Sequence, residues 1–206
     1  MAMAARYLYL ARHGEAVPDQ SALTEAGRRQ AEHLGKRLAT APLTAIHHSP
    51  LPRARQTAEL IAGQLDGVPL RSTERAGEHV PYVPQRDELP PKFADTLLSR
   101  FADFTEEELR RGPALAREAL AEFTGPVEGD EPRRELVVTH NFLVAWFVRA
   151  AHDAPDWRWM GMNQGNASLT VIRYAPDRPS TVLIHNDMSH LPEDLRWTGF
   201  PPELRV

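Results

Sequence analysis

Along the chain, apolar runs alternate with helical stripes. Tyr7-Leu8-Tyr9-Leu10-Ala11 is a short apolar and aromatic run that stops at Arg12-His13-Gly14. Its length and its aromatic content predict a buried strand ending in a glycine turn. Thr24 then reads as a helix N-cap with Glu25 in the first turn, where a side-chain oxygen and a negative charge both satisfy the free N–H groups. Gly27, Ala31, Leu34 and Leu38 follow on one helical face. Leu43 to His47 predicts a second buried strand, closed by Ser49-Pro50, and Ala54, Ala58, Ile61 and Leu65 form the stripe of a second helix that Gly67 and Pro69 end. Strand–helix–strand–helix predicts a parallel sheet covered by helices.

The texture changes over residues 66–134. Pro81, Pro84, Pro90 and Pro91 break any long element, and two helical stretches are predicted at about 93–103 and 113–124. The segment reads as an excursion over the sheet, within one domain spanning 1–206. Glu135 to Thr139 is a third strong strand ending at His140, and Phe142 to Val148 is apolar nearly all round, which predicts a helix buried on most sides. Ala167 to Tyr174 and Ser180 to His185 predict two strands joined by a turn at Pro176-Asp177. The tail from Pro192 is too rich in proline to assign.

Composition narrows the options. The 206 residues are 42% hydrophobic and 25% charged, enough to bury a full core. A formal net charge of -4 offers no attraction for nucleic acid or an anionic membrane, so affinity for an anion must come from a local cluster of Arg and His. With no cysteine, disulfides, thiolate metal sites and cysteine nucleophiles are excluded. Met1 to Leu10 has no signal-peptide pattern, and no apolar run approaches the roughly 20 residues of a membrane span. On these grounds the expected compartment is the cytoplasm.

Three predicted strands end in residues that suit phosphate: Arg12-His13, the segment from His48-Ser49 to Arg53, and His140. In an open, mostly parallel sheet, ligands bind beyond the carboxyl ends of the strands, so two arginines and two histidines are expected around one point. Arg presents a bidentate fork to phosphate oxygens. One neutral imidazole can attack phosphorus and the other can donate to its oxygens. The leaving alkoxide needs a proton, for which Glu78 is the candidate and Glu15 the runner-up. Arg75, His79, Tyr82 and Arg86 flank Glu78 and are candidates for contacting the rest of the substrate, whereas the adjacent His47 and His48 read as structural.

Leu10-Ala11-Arg12-His13-Gly14-Glu15 resembles the signature of the histidine phosphatase superfamily, the phosphoglycerate-mutase-like enzymes. Leu23 to Ala31, Ser49 to Ala58 and Val137 to His140 resemble three further blocks of that family in the right order. The resemblance implies a three-layer α/β/α sandwich with a mostly parallel central sheet. It implies that His13 becomes phosphohistidine, that Arg12 and Arg53 clamp phosphate, and that His140 stabilises it. Glu78-His79-Val80-Pro81 and Trp157 to Ser168 resemble the branch that dephosphorylates proteins. Asn141 departs from the pattern, standing where many members have Gly beside the phosphate, and is counted with the substrate-binding residues.

The expected activity is therefore metal- and cofactor-independent hydrolysis of a phosphomonoester, either a phosphoprotein or a small phosphorylated metabolite, with residues 66–134 covering the site. Alternatives are a phosphoglycerate-mutase-type phosphoryl transferase and a non-catalytic phosphate-binding module. Against the mutase, the stretch from Glu78 to Glu135 holds no enclosing insert. A metallohydrolase would want a motif such as His-Glu-x-x-His, which the nine histidines do not form. An unpaired edge strand would let two copies form a homodimer.

Overall fold

In the computed structural model, which describes residues 2–205, the predicted strand after the N-terminus runs from Arg6 to Arg12. In chain order the elements are β1 (Met3–Ala4), β2 (Arg6–Arg12), α1 (Glu25–Leu38), β3 (Ala45–His48), α2 (Pro52–Ala62), β4 (Leu70–Ser72), α3 (Ala94–Leu98), α4 (Glu106–Phe123), β5 (Val127–Glu128), β6 (Arg133–Thr139), α5 (Asn141–Ala151), β7 (Leu169–Ala175) and β8 (Arg178–Asp187). Six strands form one sheet in the order β4-β3-β6-β2-β7-β8. The first four are mutually parallel, and β7 and β8 add an antiparallel hairpin. The sheet is mostly parallel, as expected.

The central strands are apolar on both faces because helices cover both. Leu8, Leu10 and Val137 point to one side, where they pack with α5 (Leu143, Phe147) and α4 (Ala116, Ala119, Phe123). Their neighbours Ala11, Leu136 and Val138 point to the other, where α1 supplies Leu34 and Leu38 and α2 supplies Ala54, Ala58 and Ile61. This period-two alternation makes the three layers. Thr24 caps α1 by accepting from the Gly27 N–H at 2.9 Å, and the stripe Gly27, Ala31, Leu34, Leu38 is buried.

Two expectations for the middle segment differ from the structure. Leu70–Ser72 joins the sheet beside β3, so the excursion begins after β4; three exposed residues on an edge carry no period to read. The second helix starts at Glu106, before Pro113, because Thr105 and Glu108 form a reciprocal capping box. Pro113 lies inside that helix and forgoes one backbone bond. The tail makes short single turns at Glu193–Leu195 and Pro202–Leu204.

The register brings the ends of β2, β3 and β6 together. Arg12 pairs with Thr139. One step further, the His13 N–H donates to the Thr139 carbonyl at 2.9 Å, and the Ser49 N–H donates to the Val138 carbonyl at 3.1 Å. Arg12-His13, Ser49 and His140 therefore emerge on one rim.

Candidate active site

His13 is buried, with 4% of its surface exposed. Its Nδ1 lies 2.7 Å from the Gly14 carbonyl oxygen. A carbonyl only accepts, so Nδ1 carries the proton and Nε2 keeps its lone pair. Consistent with this, the Arg53 Nε–H donates to His13 Nε2 at 3.3 Å. Burial, and then the charge of Arg12, push the His13 pKa down to about 3, against the opposing pull of the Gly14 bond. The imidazole is neutral at physiological pH, with one nitrogen held ready as a nucleophile.

The His140 ring is centred 5.0 Å from that of His13 and is fully buried. Burial, followed by His13, Arg53 and Arg12, holds its pKa well below the ordinary imidazole range. Its Nε2 lies 2.9 Å from Ser49 Oγ. Its Nδ1 is buried without a hydrogen-bond partner, and the Glu78 carboxylate stands 3.9 Å away. Glu78 forms a short ion pair with Arg53. The pair is asymmetric: the Glu78 side chain is 42% exposed and that of Arg53 only 7%, so the carboxylate sits at the mouth and the guanidinium on the floor. Arg12 donates through NH1 to the Gln164 carbonyl at 2.6 Å and to the Gly199 carbonyl at 3.3 Å. Burial lowers its pKa to about 10, with Glu78 opposing, and it remains a cation at neutral pH. Two cations and two neutral imidazoles around one point suit a phosphate dianion.

The five residues Arg12, His13, Arg53, Glu78 and His140 converge. Asn141 lies next to them in sequence, at the first position of α5, but its side chain is engaged elsewhere. Its Oδ1 accepts from the Gln164 N–H at 2.7 Å and its amide donates to Asn163 Oδ1 at 3.3 Å. Glu15 is held by the Thr24 hydroxyl at 2.8 Å, at the start of α1. Arg75 pairs with Glu118 and Glu122, Tyr82 with Glu88 and Arg86 with Asp95. Of that group only His79 shares an opening with Glu78, walled by Val80, Phe104, Glu107, Glu108 and Arg111. His47 turns away, edge-on to Phe123 and 3.6 Å from Glu135.

Several supporting residues escaped the sequence reading. Thr57 accepts from the Gly14 N–H at 3.0 Å and donates to the Arg53 carbonyl at 2.7 Å, tying both halves of the site together. Asn166 donates to the His13 carbonyl at 3.0 Å. Gln164 and Gly199 hold Arg12. Thr57 lay within a block already noted, and Gln164 and Asn166 lay within another, so there was a signal for them. Gly199 had none. Among the described residues no three His, Asp or Glu side chains gather in a way that could hold a metal ion.

The model of the histidine phosphatase superfamily (branch 1) matches residues 8–187. The chain belongs to that family. It is 32% identical to the serine/threonine-protein phosphatase Pgam5, mitochondrial, of Caenorhabditis briggsae, over 96% of this chain and 69% of the relative. Against mouse PGAM5 the identity is 27%, over 94% and 66%. The chain thus spans about two thirds of these relatives. Among solved structures, Bacillus stearothermophilus YhfR is 28% identical with a TM-score of 0.68, covering 90% of this chain and 98% of that one. A histidine phosphatase fold of the phosphoglycerate-mutase-like type is therefore established, and the relatives support phosphatase activity.

The comparison corrects one expectation. A cytoplasmic location does not stand, because these relatives are mitochondrial proteins by name. The expectation rested on the residues Met1 to Leu10 and on the lack of a long apolar run. Among the described residues no helix is long and apolar enough to cross a membrane, but neither observation distinguishes one compartment from another.

Proposed function

We propose that this protein hydrolyses phosphomonoesters through a covalent phosphohistidine on His13. The observation that carries the reading is the Nδ1–H bond to Gly14, which leaves His13 Nε2 bare beside Arg53. The phosphoryl group enters between Arg12, Arg53 and His140, whose donors take its oxygens. His13 Nε2 forms a bond to phosphorus as the ester P–O bond breaks, and Glu78 gives its proton to the departing alkoxide. Water then attacks phosphorus, the P–N bond breaks, and Glu78 takes the proton back. In the free site Arg53 is partnered by Glu78. A bound phosphate takes over that partner and leaves the Glu78 carboxyl group beside the ester oxygen. The position of Glu78 beside Arg53 and His140 supports it over Glu15 as the donor.

Hydrolysis is favoured over mutase-type transfer by the open mouth, since the half-exposed Glu78 is accessible to water. The names of the curated relatives favour a phosphoprotein as substrate. The chemistry needs no metal, so turnover should survive a chelator. The deciding experiment measures p-nitrophenyl phosphate turnover and traps the phosphoenzyme. We expect an acid-labile, alkali-stable adduct in the wild type. In His13→Ala we expect no turnover but retained inorganic phosphate binding. Substantial activity in that variant, or an adduct on another residue, overturns the proposal. Ranking phosphopeptides against small phosphorylated metabolites by kcat/KM tests the substrate class.

A further inference from the structure

The geometry points to Ser49 as the positioning residue that sets the tautomer of His140, and so turns that histidine into a hydrogen-bond donor toward the phosphoryl group. The inference rests on the phosphatase reading above, because it assigns His140 the task of contacting phosphate oxygens.

A neutral imidazole carries one proton, and which nitrogen holds it decides whether the ring donates or repels at a given point. His140 is neutral at physiological pH, since it is buried among cationic and imidazole neighbours. Its Nδ1 points to the side where Glu78 stands at 3.9 Å, the side on which phosphate would sit. A bare Nδ1 there would set a lone pair against anionic oxygens, so catalysis needs Nδ1–H.

The neighbouring groups select that form. Ser49 is fully buried, directly after β3. Its Oγ accepts from the Leu51 N–H at 3.2 Å, and its other contact is His140 Nε2 at 2.9 Å. If Nε2 carried the proton, Ser49 Oγ would accept twice, and its own hydrogen would be buried with no acceptor among the described residues. If Nε2 is bare, the Ser49 hydroxyl donates to it and every bond at that end is satisfied. Counted over both ends of the ring, the Nε2–H form leaves two groups unpaired, the Ser49 hydrogen and the Nδ1 lone pair that faces the Glu78 carboxylate at 3.9 Å, whereas the Nδ1–H form leaves one, an N–H turned toward that carboxylate. The proton is thereby placed on Nδ1, the buried atom without a partner in the free site. The Leu51 N–H fixes the hydroxyl from behind. It lies in the Pro50–Pro52 turn that opens α2, so the element carrying Arg53 also orients the partner of His140.

Two measurements test this. Long-range proton–nitrogen NMR of the wild type, with His140 assigned by comparison with His140→Asn, should show Nδ1 protonated and Nε2 bare. Ser49→Ala should populate the other tautomer, lower kcat for p-nitrophenyl phosphate roughly tenfold to a hundredfold, change KM much less, and leave the melting temperature within a few degrees. Ser49→Thr, which retains the hydroxyl, should recover most of the loss. An Nε2–H tautomer in the wild type overturns the inference and needs no variant to fold. So does an unchanged kcat in Ser49→Ala. Full turnover in His140→Asn likewise overturns the inference, because His140 would then not contact the phosphoryl group, whereas full turnover in His13→Ala would instead sink the phosphohistidine reading on which the inference stands.

Discussion

At the scale of single residues, the site divides its labour by protonation state. His13 and His140 are kept neutral by burial, while Arg12 and Arg53 carry the positive charge. In the proposed mechanism Glu78 is the group whose task depends on the leaving group. Glu78→Gln should lower turnover of an alkyl phosphate by about a hundredfold or more. With p-nitrophenyl phosphate, whose phenolate leaves without a proton, the loss should be far smaller. Equal losses on both substrates would remove Glu78 from the donor role. The five converging residues were readable because Arg12, His13 and His140 sit at or just after a strand end, Arg53 sits in the first turn of the helix after β3, and Glu78 sits in a matching loop. The role of Asn141 was not readable: its neighbour in sequence is His140, but its amide is captured by Asn163 and Gln164 from a distant loop.

At the scale of elements, two close approaches place groups of the proposed site. α4 meets the acid-bearing loop at Gly112, where an added Cβ would lie 2.4 Å from the Val80 carbonyl oxygen. Gly112→Ala gains about 1 kcal/mol of helix propensity but overpacks against rigid backbone at about 1–3 kcal/mol. A net loss of stability by urea unfolding is expected, with turnover of alkyl phosphates falling as the Glu78 loop shifts. The second approach is Gly199, at φ +81°, where a Cβ would meet Arg12 NH1 at 2.5 Å. Gly199→Ala should weaken inorganic phosphate binding about tenfold, the scale of one charge-assisted hydrogen bond, as titration calorimetry would show. Neither contact has a local signature. The tail that holds Arg12 through Gly199 shows no period, and the capping box that begins α4 lies upstream of Pro113.

For the whole molecule, burying two neutral imidazoles couples folding to pH. In the unfolded chain a histidine titrates near 6.5, whereas His13 titrates at about 3 in the fold and His140 well below its ordinary value. Below pH 6.5 the unfolded chain binds protons that the folded chain excludes. Stability therefore falls as pH falls, by up to about 1.4 kcal/mol per unit for each histidine. Above pH 6.5 the two contribute no slope. Urea unfolding at pH 7.5 and pH 5 should show the loss, and His13→Ala should show a smaller difference between the two. Identical pH dependence in that variant would mean that His13 is not held neutral by the fold.

Local sequence was sufficient for the layers. The apolar runs, the Thr24 cap and the helical stripes are each legible within a few residues, although the burial that stabilises them comes from the packed layers. It was also sufficient to mark which strand ends carry the residues of the proposed phosphate site. The parallel register of β2, β3 and β6 brought those ends to one rim, and that depends on long-range pairing that no single segment encodes. The same is true of the bonds from Ser49 to His140 and from Arg12 to Gln164 and Gly199, whereas the bond between His13 and Gly14 is local and only the burial that keeps that ring neutral comes from the fold. A side chain's chemical type belongs to its position in the chain, whereas its tautomer, charge and aim are set by neighbours that only folding supplies.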